Sequence, residues 1–431
     1  VKKNNLFIAI KGKNYDGHVF AKEALKKEAN YCIVQKNINK LNKRKLIICS
    51  STINFLNKLA VSKRNSTNAK VIAITGSSGK TTLKTLLGKT LSEYSKTYFS
   101  HKSYNNHFGV PLSLCNLEND HKYGIFEIGM SNKGEIRKLS NLVKPNVAII
   151  TNIGEAHIEN FNNLNDIAKA KSEIIENISK DGYLILNRDS YYFNYFSNLA
   201  IKRKINVLSF GKSSKSSARL VKNKYYKNYN HLHFKVLDKN IYFKVKNINS
   251  LIISNVLCTL LTLHVLNLDL TRKLNFSNYF PLIEGRGKAH SILRYKKRFE
   301  LIDESYNANP SSVKNAIDNF TKIKKKNGKK FLLLGDMLEL GKKSDMYHKN
   351  LAHYINRSDI DKLFIFGKNA FKTYQKTYKS KQGNILQDLS DFDEVFSNII
   401  NKGDYLMIKG SNATGLNKLS KSIISGHKNA L

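Results

Sequence analysis

The hydrophobic residues of this chain fall into short runs with polar ends. Runs of this kind are typical of buried strands in a parallel sheet that is flanked by helices. One set lies at residues 71–75, 124–128, 147–151 and 183–186, and a second set at 300–303, 331–334, 363–366 and 405–408. Helical patterns separate the runs. The alternation predicts an α/β architecture that is used twice.

One of these helical patterns is clearly amphipathic. Val313, Ala316, Ile317, Phe320 and Ile323 recur at intervals of three and four residues. This spacing places all of them on one face of a helix, which we expect to be buried.

The most apolar stretch of the chain is residues 251–268. It is interrupted by Ser254, Asn255, Thr259, Thr262, His264 and Asn267. We therefore expect a buried helix there and no integral membrane segment. Residues 218–250 are rich in tyrosine and alternate partly between polar and apolar positions, which predicts a β-hairpin-like excursion.

Two stretches predict domain boundaries. Residues 58–70 (KLAVSKRNSTNAK) are polar and precede the first strong strand, and residues 281–288 (PLIEGRGK) contain a proline and two glycines. A chain of 431 residues is long for one domain. We expect domains at 1–68, 69–285 and 286–431, with the two junctions as candidate hinges.

The charge of the chain raises the question of a polyanionic partner. The sequence has 73 Lys and Arg against 32 Asp and Glu, a formal net charge of +41. The lysines are scattered along the whole length, whereas a nucleic-acid footprint should form a stripe or patch. We therefore favour a uniform compositional bias and expect no nucleic-acid partner. The charge still favours anionic small substrates.

The cysteines and the start of the chain predict the compartment. Cys32, Cys49, Cys115 and Cys258 include no C-x-x-C pair, so neither a disulfide framework nor a zinc site is indicated. No apolar leader follows Val1. We expect a cytoplasmic protein.

The sharpest local signal is the segment VIAITGSSGKTTLKTLL. A predicted strand ends at Thr75, and a helix begins within the loop formed by Gly76, Ser77, Ser78, Gly79, Lys80, Thr81 and Thr82. The glycines let backbone N–H groups approach phosphate oxygens, and the helix N-terminus favours negative charge. Lys80 supplies a point charge, and Thr81 can ligate Mg²⁺. The usual pattern has a glycine where this chain has Ile74, so the loop is a G-x-x-G-K-T variant, and the loop alone does not name a reaction.

Glu127 lies near the C-terminal end of a predicted strand, in YGIFEIGM. Ligands of α/β sheets collect outside those strand ends, so this carboxylate is well placed to hold Mg²⁺ opposite the phosphate loop. The alternative is a salt-bridged glutamate at the sheet edge. By itself, His157 is expected to be a hydrogen-bonding loop residue, and Lys171 is expected on a solvated helix face.

Longer motifs carry a resemblance to a known family. TGSSGKTT, NNHFGVPLSL (105–114), FEIGMSNKGEI (126–136), TNIGEAHIENF (151–161) and AKAKSEI (168–174) resemble the central domain of the Mur ligases. These enzymes add amino acids or dipeptides to the peptide stem of the cell-wall precursor. IDESYNANPSS (302–312) and LLLGDMLELG (332–341) resemble, more specifically, the members that add a dipeptide. LFIAIKGKNYDGHVFAKEAL (6–25) and LMIKGSNATGLNKL (406–419) resemble the two ends of such chains.

The resemblance implies three α/β domains. They are a small N-terminal domain that binds the UDP-muramyl peptide, a central P-loop-type ATPase domain with a mostly parallel sheet, and a Rossmann-like C-terminal domain that binds the incoming dipeptide. It implies ATP-dependent joining of D-alanyl-D-alanine to UDP-N-acetylmuramoyl-tripeptide through an acyl phosphate, with ATP and Mg²⁺ as cofactors, by a monomer. The alternatives are another Mur-type or folylpolyglutamate-type amide ligase, or a nucleic-acid-stimulated NTPase.

The resemblance also implies a metal and phosphate site. Lys80 and Thr81 match the contacts to the ATP phosphates and to Mg²⁺. Glu127 and His157 match residues of the metal site, and Lys171 matches a lysine that relatives carry as an N-carbamate. A carbamate turns a cation into an oxygen donor of the kind that suits Mg²⁺. Lys80, His157 and Lys171 are the catalytic residues that the resemblance implies.

Other positions match the nucleotide and acceptor sites of the family. Asn255 matches an adenine-contacting asparagine, Arg286 an arginine that reaches the γ-phosphate, and Asn309 the nucleotide-facing loop of the third domain. Glu304 falls where relatives place an acidic residue near the ribose. The segment that faces the acceptor site is matched by Lys409 and Ser411.

Three features depart from the family pattern. Family chains carry residues before the 6–25 match, including a Ser-Arg element that helps to hold the uridine, so we expect a chain truncated at Val1 with an incomplete uridine pocket. The histidine often found four residues before the Asn255 position is Leu251 here. Near the C-terminus, KGSNATGL matches the family more loosely than the central motifs do.

Overall fold

The structure is a computed structural model, and it describes residues 1–12, 15–226, 229–245, 250–272, 284–325 and 327–426. It has three sheets, of three, nine and six strands, which follow one another along the chain. The three-domain α/β fold expected from the sequence is confirmed. Short 3₁₀ helices occupy Gly17–Phe20, Lys43–Lys45, Ile158–Asn160, Glu173–Asn177, Gly341–Lys343, Lys379–Lys381 and Asn412–Thr414.

The N-terminal sheet is small and parallel. Its strands are β1 (Leu6–Ile8), β2 (Tyr31–Val34) and β3 (Leu46–Ile48), in that order, and helix α1 (Ala21–Lys26) packs against β2. The core beneath it is made largely of small side chains, namely Ala9, Ala21, Ala24, Ala29, Cys32 and Val34.

A helix occupies most of the polar stretch predicted as the first boundary. Helix α2 (Thr52–Ser66) is capped by Ser51, whose side chain accepts a hydrogen bond from the Asn54 N–H. Its Ala60 is part of the core beneath the central sheet, and Arg64 donates from Nε to the carbonyl oxygen of Val143 at 2.7 Å. The helix therefore packs on the central domain, whereas the sequence predicts a first domain over residues 1–68.

The central sheet is parallel over most of its width. Its order is β12-β11-β10-β9-β8-β7-β4-β6-β5. The strands are β4 (Lys70–Thr75), β5 (Thr97–Phe99), β6 (Tyr123–Glu127), β7 (Val147–Ile150), β8 (Tyr183–Asn187), β9 (Asn206–Phe210), β10 (Ala218–Tyr226), β11 (Tyr229–Val236) and β12 (Lys239–Val245). Strand β11 is antiparallel to both β10 and β12, as the alternation in 218–250 predicted, although 227–228 and 246–249 lie outside the described residues.

Helices cover both faces of this sheet. They are α3 (Lys80–Ser92), α4 (Gly109–Cys115), α5 (Glu135–Val143), α6 (Leu164–Ser172), α7 (Phe193–Lys202) and α8 (Ser250–Val265). Helix α8 lies in the apolar stretch and packs against α3 and β10. No helix in the described part of the chain is long and apolar enough to cross a membrane.

The C-terminal sheet has the order β13-β14-β18-β15-β16-β17. The strands are β13 (Lys288–Arg294), β14 (Lys297–Glu304), β15 (Lys330–Gly335), β16 (Lys362–Phe366), β17 (Gln382–Leu386) and β18 (Tyr405–Lys409). The helices are α9 (Pro310–Thr321), α10 (Ser344–Arg357), α11 (Ala370–Lys376), α12 (Asp391–Ile399) and α13 (Leu416–Ser425). Only the β13–β14 hairpin is antiparallel among these pairings.

All eight strands predicted from apolar runs are confirmed, with ends that differ by at most three residues. On α9, Val313, Ala316, Ile317 and Phe320 are buried as predicted, and Ile323 lies just beyond the end of the helix. The second predicted boundary is only partly visible, because 281–283 lie outside the described residues. Strand β4 lies between β6 and β7, so the loops that follow these three strands meet at one edge of the sheet.

Candidate active site between two domains

A cavity of about 420 Å³ opens where the ends of β4, β6 and β7 face the C-terminal domain. The structure places most of the predicted site residues on its wall. Those that line it are Ser77, Ser78, Gly79, Lys80, Thr81, Thr82, Glu127, His157, Asn255, Arg286, Glu304 and Asn309. Gly76 and Lys171 do not line it. Of the two acceptor-site candidates, Lys409 lines it and Ser411 does not.

The phosphate loop has a backbone that requires glycine at two points. Gly76 has a φ of +144°, and a Cβ there would lie 1.9 Å from the Thr151 hydroxyl oxygen. Gly79, at the N-cap of α3, has a φ of +80° in the left-handed region. Glycine alone adopts both conformations without strain, so these positions fix the turn that leads into α3.

Asn152 holds the first half of this loop. Its Oδ1 accepts hydrogen bonds from the backbone N–H groups of Ser77 (3.1 Å) and Ser78 (2.9 Å), and its Nδ2 donates to the Ser78 hydroxyl at 2.6 Å. Asn152 is not among the site residues predicted from the sequence. Its position directly after β7, the neighbour of β4, is the signal that could have found it.

Lys80 folds back over the loop. Its Nζ donates to the carbonyl oxygen of Gly76 at 2.8 Å. Burial lowers the pKa of Lys80, while the nearby Glu127 carboxylate raises it and the Arg286 cation lowers it further. The site thus holds an ammonium group in a place where water solvates it poorly, and an anionic ligand would compensate for that loss.

Glu127 is buried, with 1% of its surface exposed. Its Oε1 accepts a hydrogen bond from Asn105 Nδ2 at 2.8 Å. Its Oε2 lies 3.8 Å from the ammonium of Lys84 and accepts no hydrogen bond from the described residues. A buried carboxylate oxygen without a hydrogen bond is suited to coordinate a cation. The Thr81 hydroxyl, which is 3.3 Å from the Ser103 hydroxyl, is a second oxygen donor on the same wall.

Lys84 is a further site residue that the sequence analysis missed. It is 1% exposed, and its Nζ donates to the carbonyl oxygen of Lys102. Burial lowers its pKa, and Glu127 opposes that shift. Lys84 follows Lys80 by one helical turn, which is the spacing that places both side chains on the same face of α3.

Lys171 is buried, so the expectation from its sequence alone, a solvated helix face, is wrong. Only 3% of its surface is exposed, and it forms no ion pair within the part of the chain that the structure describes. Burial, with a smaller effect from the Lys80 charge, holds the pKa of Lys171 well below its usual range. A low pKa favours the neutral amine, which is the form that reacts with CO₂.

His157 lies at the boundary between the two domains. It has a left-handed backbone with a φ of +59°, and its Nδ1 is 2.7 Å from Oε2 of Glu339 in the C-terminal domain. The hydrogen bond with His157 lowers the pKa of Glu339, although burial opposes the shift.

Two more hydrogen bonds cross the same boundary. The Ser311 hydroxyl donates to Oε2 of Glu155 at 2.7 Å, and the Tyr306 hydroxyl donates to the Ser103 hydroxyl at 3.2 Å. The C-terminal domain thus contacts the central one on both sides of the phosphate loop.

Two side chains that line the cavity have buried polar atoms without partners among the described residues. Asn255 is 2% exposed, and its Nδ2 is buried without a hydrogen bond to any described residue. The guanidinium of Arg286 lies 4.6 Å from the centre of the Tyr306 ring, and its Nε is likewise buried without a partner in the described chain. Buried donors of this kind are costly unless a ligand accepts from them.

The remaining predicted residues are engaged within the protein. Asn309 is the N-cap of α9, and its Oδ1 accepts from the Ser312 N–H at 2.8 Å. Oε2 of Glu304 lies 3.3 Å from Nζ of Lys409, which also donates to the carbonyl oxygen of Asn307 at 2.8 Å. The Ser411 hydroxyl accepts from the Leu338 N–H at 2.9 Å. These contacts shape the wall of the cavity.

Comparison with known proteins agrees with this geometry. Residues 74–263 match the Mur ligase middle domain, and residues 291–412 match the domain described as Mur ligase, glutamate ligase domain. The UDP-N-acetylmuramoyl-tripeptide–D-alanyl-D-alanine ligase of Rickettsia prowazekii is 33% identical over 97% of this chain and 92% of its own length. The ligase of the same name from Buchnera aphidicola (subspecies Baizongia pistaciae) is 35% identical over 92% of this chain and 83% of its own.

Solved structures share the whole fold. MurF from Acinetobacter baumannii superposes with a TM-score of 0.83 at 24% identity, covering 98% of this chain and 91% of that one. A MurF ligase from Thermotoga maritima, solved in complex with ADP, gives a TM-score of 0.81 at 25% identity, covering 99% of this chain and 96% of that one. Given the two matched domains and the relatives covered over most of their length, the chain belongs to the Mur ligase family.

Proposed function

We propose that this chain is an ATP-dependent ligase that joins D-alanyl-D-alanine to UDP-N-acetylmuramoyl-tripeptide and releases ADP and phosphate. Relatives that align over most of their length carry this activity in their names. The observation that carries the proposal is the cavity itself, in which a glycine-rich loop, two cations and a buried carboxylate oxygen without a partner face one another across two domains.

The residues present fit a nucleotide and a divalent cation. Thr81 and Oε2 of Glu127 are the oxygen donors that would hold Mg²⁺, and Asn255 Nδ2 would donate to the base. When bound, Mg²⁺ would neutralise charge on the phosphates. Lys80 and Arg286 both line the cavity, where the charge of one acts on the other, and they would contact the phosphate oxygens as a point charge and a planar guanidinium.

The reaction requires little covalent chemistry from the protein itself. The tripeptide carboxylate attacks the γ-phosphorus and displaces ADP, which leaves an acyl phosphate. The neutral dipeptide amine then attacks the acyl carbon, and the tetrahedral intermediate loses a proton and expels phosphate to give the amide. Catalysis of such steps rests on positioning and on charge stabilisation. Lys80 and Arg286 both line the cavity and are placed to stabilise negative charge on the transferred phosphoryl group.

Lys171 and His157 complete the proposed catalytic set. Lys171 is buried without an anionic partner in the described chain, and its lowered pKa supports a neutral amine that adds CO₂ as a carbamate. The carbamate would supply oxygen donors from a buried position that does not line the cavity, and His157, which lines it, would supply a ring nitrogen.

Each of the three domains would bind a different substrate. We assign the UDP-muramyl peptide to the N-terminal sheet, ATP to the central domain and the incoming dipeptide to the C-terminal domain. Because α2 packs on the central domain, the junction that moves during closure would precede Thr52 rather than follow it.

The test measures phosphate release from ATP in the presence of Mg²⁺, with the muramyl tripeptide alone, with the dipeptide alone and with both together. We expect release only when the muramyl tripeptide and D-alanyl-D-alanine are both present. Replacing the dipeptide with L-glutamate tests the folylpolyglutamate-type alternative, and adding RNA or DNA tests the nucleic-acid-stimulated one. Release that does not depend on the dipeptide, from a protein that binds ADP, would refute the proposal.

A further inference from the structure

The contact between His157 and Glu339 joins a predicted catalytic residue to a different domain. Oε2 of Glu339 lies 2.7 Å from Nδ1 of His157. The other ring nitrogen of His157, Nε2, forms no hydrogen bond within the described residues, and the side chain lines the cavity. One nitrogen is thus engaged by a carboxylate, and the other is left for a ligand.

The contact fixes the tautomer of the ring. A neutral imidazole carries its hydrogen on one nitrogen, and the hydrogen bond made by one nitrogen decides which. A carboxylate beside Nδ1 can only accept, so the hydrogen resides on Nδ1 and the lone pair on Nε2. Histidines that bind metal ions are generally arranged in this way, with the distal nitrogen donating to a carboxylate or a carbonyl group.

The backbone around the contact is closely fitted. His157 and Glu339 both adopt left-handed φ values, +59° and +62°, which residues other than glycine rarely adopt. The Glu159 N–H donates to the carbonyl oxygen of Glu339 at 3.2 Å. Gly341 approaches so closely that a Cβ there would lie 3.0 Å from Cα of Glu159.

Apolar packing reinforces this fit. Ile158 from the central domain and Met337 and Leu340 from the C-terminal domain are buried in one cluster. Docking of the two domains therefore sets the backbone positions of His157 and Glu339, and the half-exposed Glu339 side chain reaches the imidazole from there.

We propose that Glu339 is a positioning residue for His157: docking of the C-terminal domain brings its carboxylate to Nδ1, which leaves Nε2 free for the metal site of the central domain. This inference rests on the proposed function and extends it, because it assigns a residue of the dipeptide-binding domain to the chemistry of the ATP-binding domain. The site would be complete only when the domains are docked.

The tautomer can be measured without turnover. Nitrogen NMR of protein labelled at histidine with ¹⁵N, recorded at pH 8 with Mg²⁺ and ADP, reports which ring nitrogen carries hydrogen. The His157 signal is assigned by its loss in His157→Asn. We expect the Nδ1–H form in the wild type and in Glu339→Gln, whose amide oxygen still accepts from Nδ1. In Glu339→Ala and Glu339→Met, which lack the acceptor, we expect the Nε2–H form.

Kinetics provide the second readout. We expect kcat to fall about 10- to 100-fold in Glu339→Ala and Glu339→Met, with the KM for ATP within about twofold of the wild type. Glu339→Gln should recover most of the loss. Glu159→Gln is the matched control, because it removes an exposed charge two residues from His157 without touching the ring, and it should behave as the wild type.

Two outcomes would overturn the inference. One is a wild-type His157 that is protonated on Nε2. The other is Glu339→Ala with reduced kcat but an unchanged tautomer, which would mean that Glu339 acts only through docking. A wild type that shows the Nδ1–H form but no dipeptide-dependent phosphate release would instead contradict the proposed function and leave the role of Glu339 toward the ring standing.

Discussion

The buried amide of Asn255 allows a prediction in which stability and binding change in opposite directions. Its Nδ2 is buried without a hydrogen bond to any described residue, on a side chain that is 2% exposed. A buried donor left unpaired costs about 1–3 kcal/mol. Asn255→Leu removes the donor and retains a side chain of similar size on α8, whose neighbours Val256 and Leu257 are buried in an apolar cluster. We expect the free energy of unfolding of the unliganded protein to rise by about 1 kcal/mol.

The same substitution should weaken nucleotide binding. If Nδ2 donates to the base, its removal loses one neutral hydrogen bond, worth about 0.5–1.5 kcal/mol. The dissociation constant of ADP with Mg²⁺ should therefore rise about 2- to 12-fold. Urea unfolding followed by circular dichroism measures the first quantity, and titration calorimetry measures the second.

Thr259→Val is the matched control for this pair of measurements. Thr259 is fully buried on the same helix, and its hydroxyl donates to the carbonyl oxygen of Asn255 at 2.8 Å. Valine keeps the shape and loses the hydrogen bond, so we expect a destabilisation of about 1 kcal/mol with unchanged ADP affinity. A destabilised Asn255→Leu with wild-type ADP affinity would refute the assignment of Nδ2 to the nucleotide.

Three further predictions concern single residues. Lys80→Met should lower kcat about 100-fold or more, since it removes a cation from the phosphate site. The unfolding temperature of this variant should be no lower than that of the wild type, because the charge that it loses is poorly solvated. Near-normal turnover would contradict the phosphate-loop assignment. Lys171→Ala should be inactive in the phosphate-release assay, and a short carboxylic acid should restore part of the activity. The carbamate itself should give a carbon signal in ¹³C NMR of the wild type under labelled CO₂. If the acid restores no activity and the wild type shows no carbamate signal, Lys171 is an unmodified lysine. Burial lowers the pKa of His348, so below about pH 6.5 the unfolded chain binds more protons than the folded one and the free energy of unfolding should decrease as the pH falls. His348→Gln, which can still accept from the Met337 N–H, should show a smaller decrease between pH 7 and 5 in denaturant titrations; an equal slope would show that another group is responsible.

The parts of the fold that the sequence predicted are those set by local patterns. Every strand predicted from a short apolar run is present, because a strand buried on both faces needs continuous apolar residues. The phosphate loop was recognisable for a similar reason, since Gly76 and Gly79 occupy backbone conformations that other residues avoid.

Helix α2 shows where composition misleads. A surface helix that packs through a narrow stripe needs few apolar residues, and Leu56 and Ala60, one turn apart, are buried on α2 within an otherwise polar stretch. The polar composition of 58–70 therefore suggested a linker. The capping serine at position 51 was the local sign that a helix begins there.

The site residues that were not predicted take their place in the site through contacts with chain segments far away in sequence. Lys84 contacts the loop at Lys102, and Asn152 contacts the phosphate loop some 75 residues earlier. Glu339 reaches His157 across two domains. Pairings of this kind follow from strand order and domain docking, and periodicity along the chain carries no information about either.

The electrostatics of the site, rather than the net charge of the chain, explain why an anionic ligand belongs there. Lys84 and Lys171 are buried and Lys80 is partly buried, and the charges of Lys80 and Lys84 both act on one buried carboxylate, that of Glu127. Lys171 receives repulsion from Lys80 and forms no ion pair in the described chain. Excess positive charge in a poorly solvated cavity is unfavourable until an anion enters or an amine loses its proton. The phosphates of a nucleotide would be the entering anion, and formation of a carbamate on Lys171 would remove the proton from an amine. Nucleotide binding and carbamate formation would therefore both reduce the same excess of positive charge.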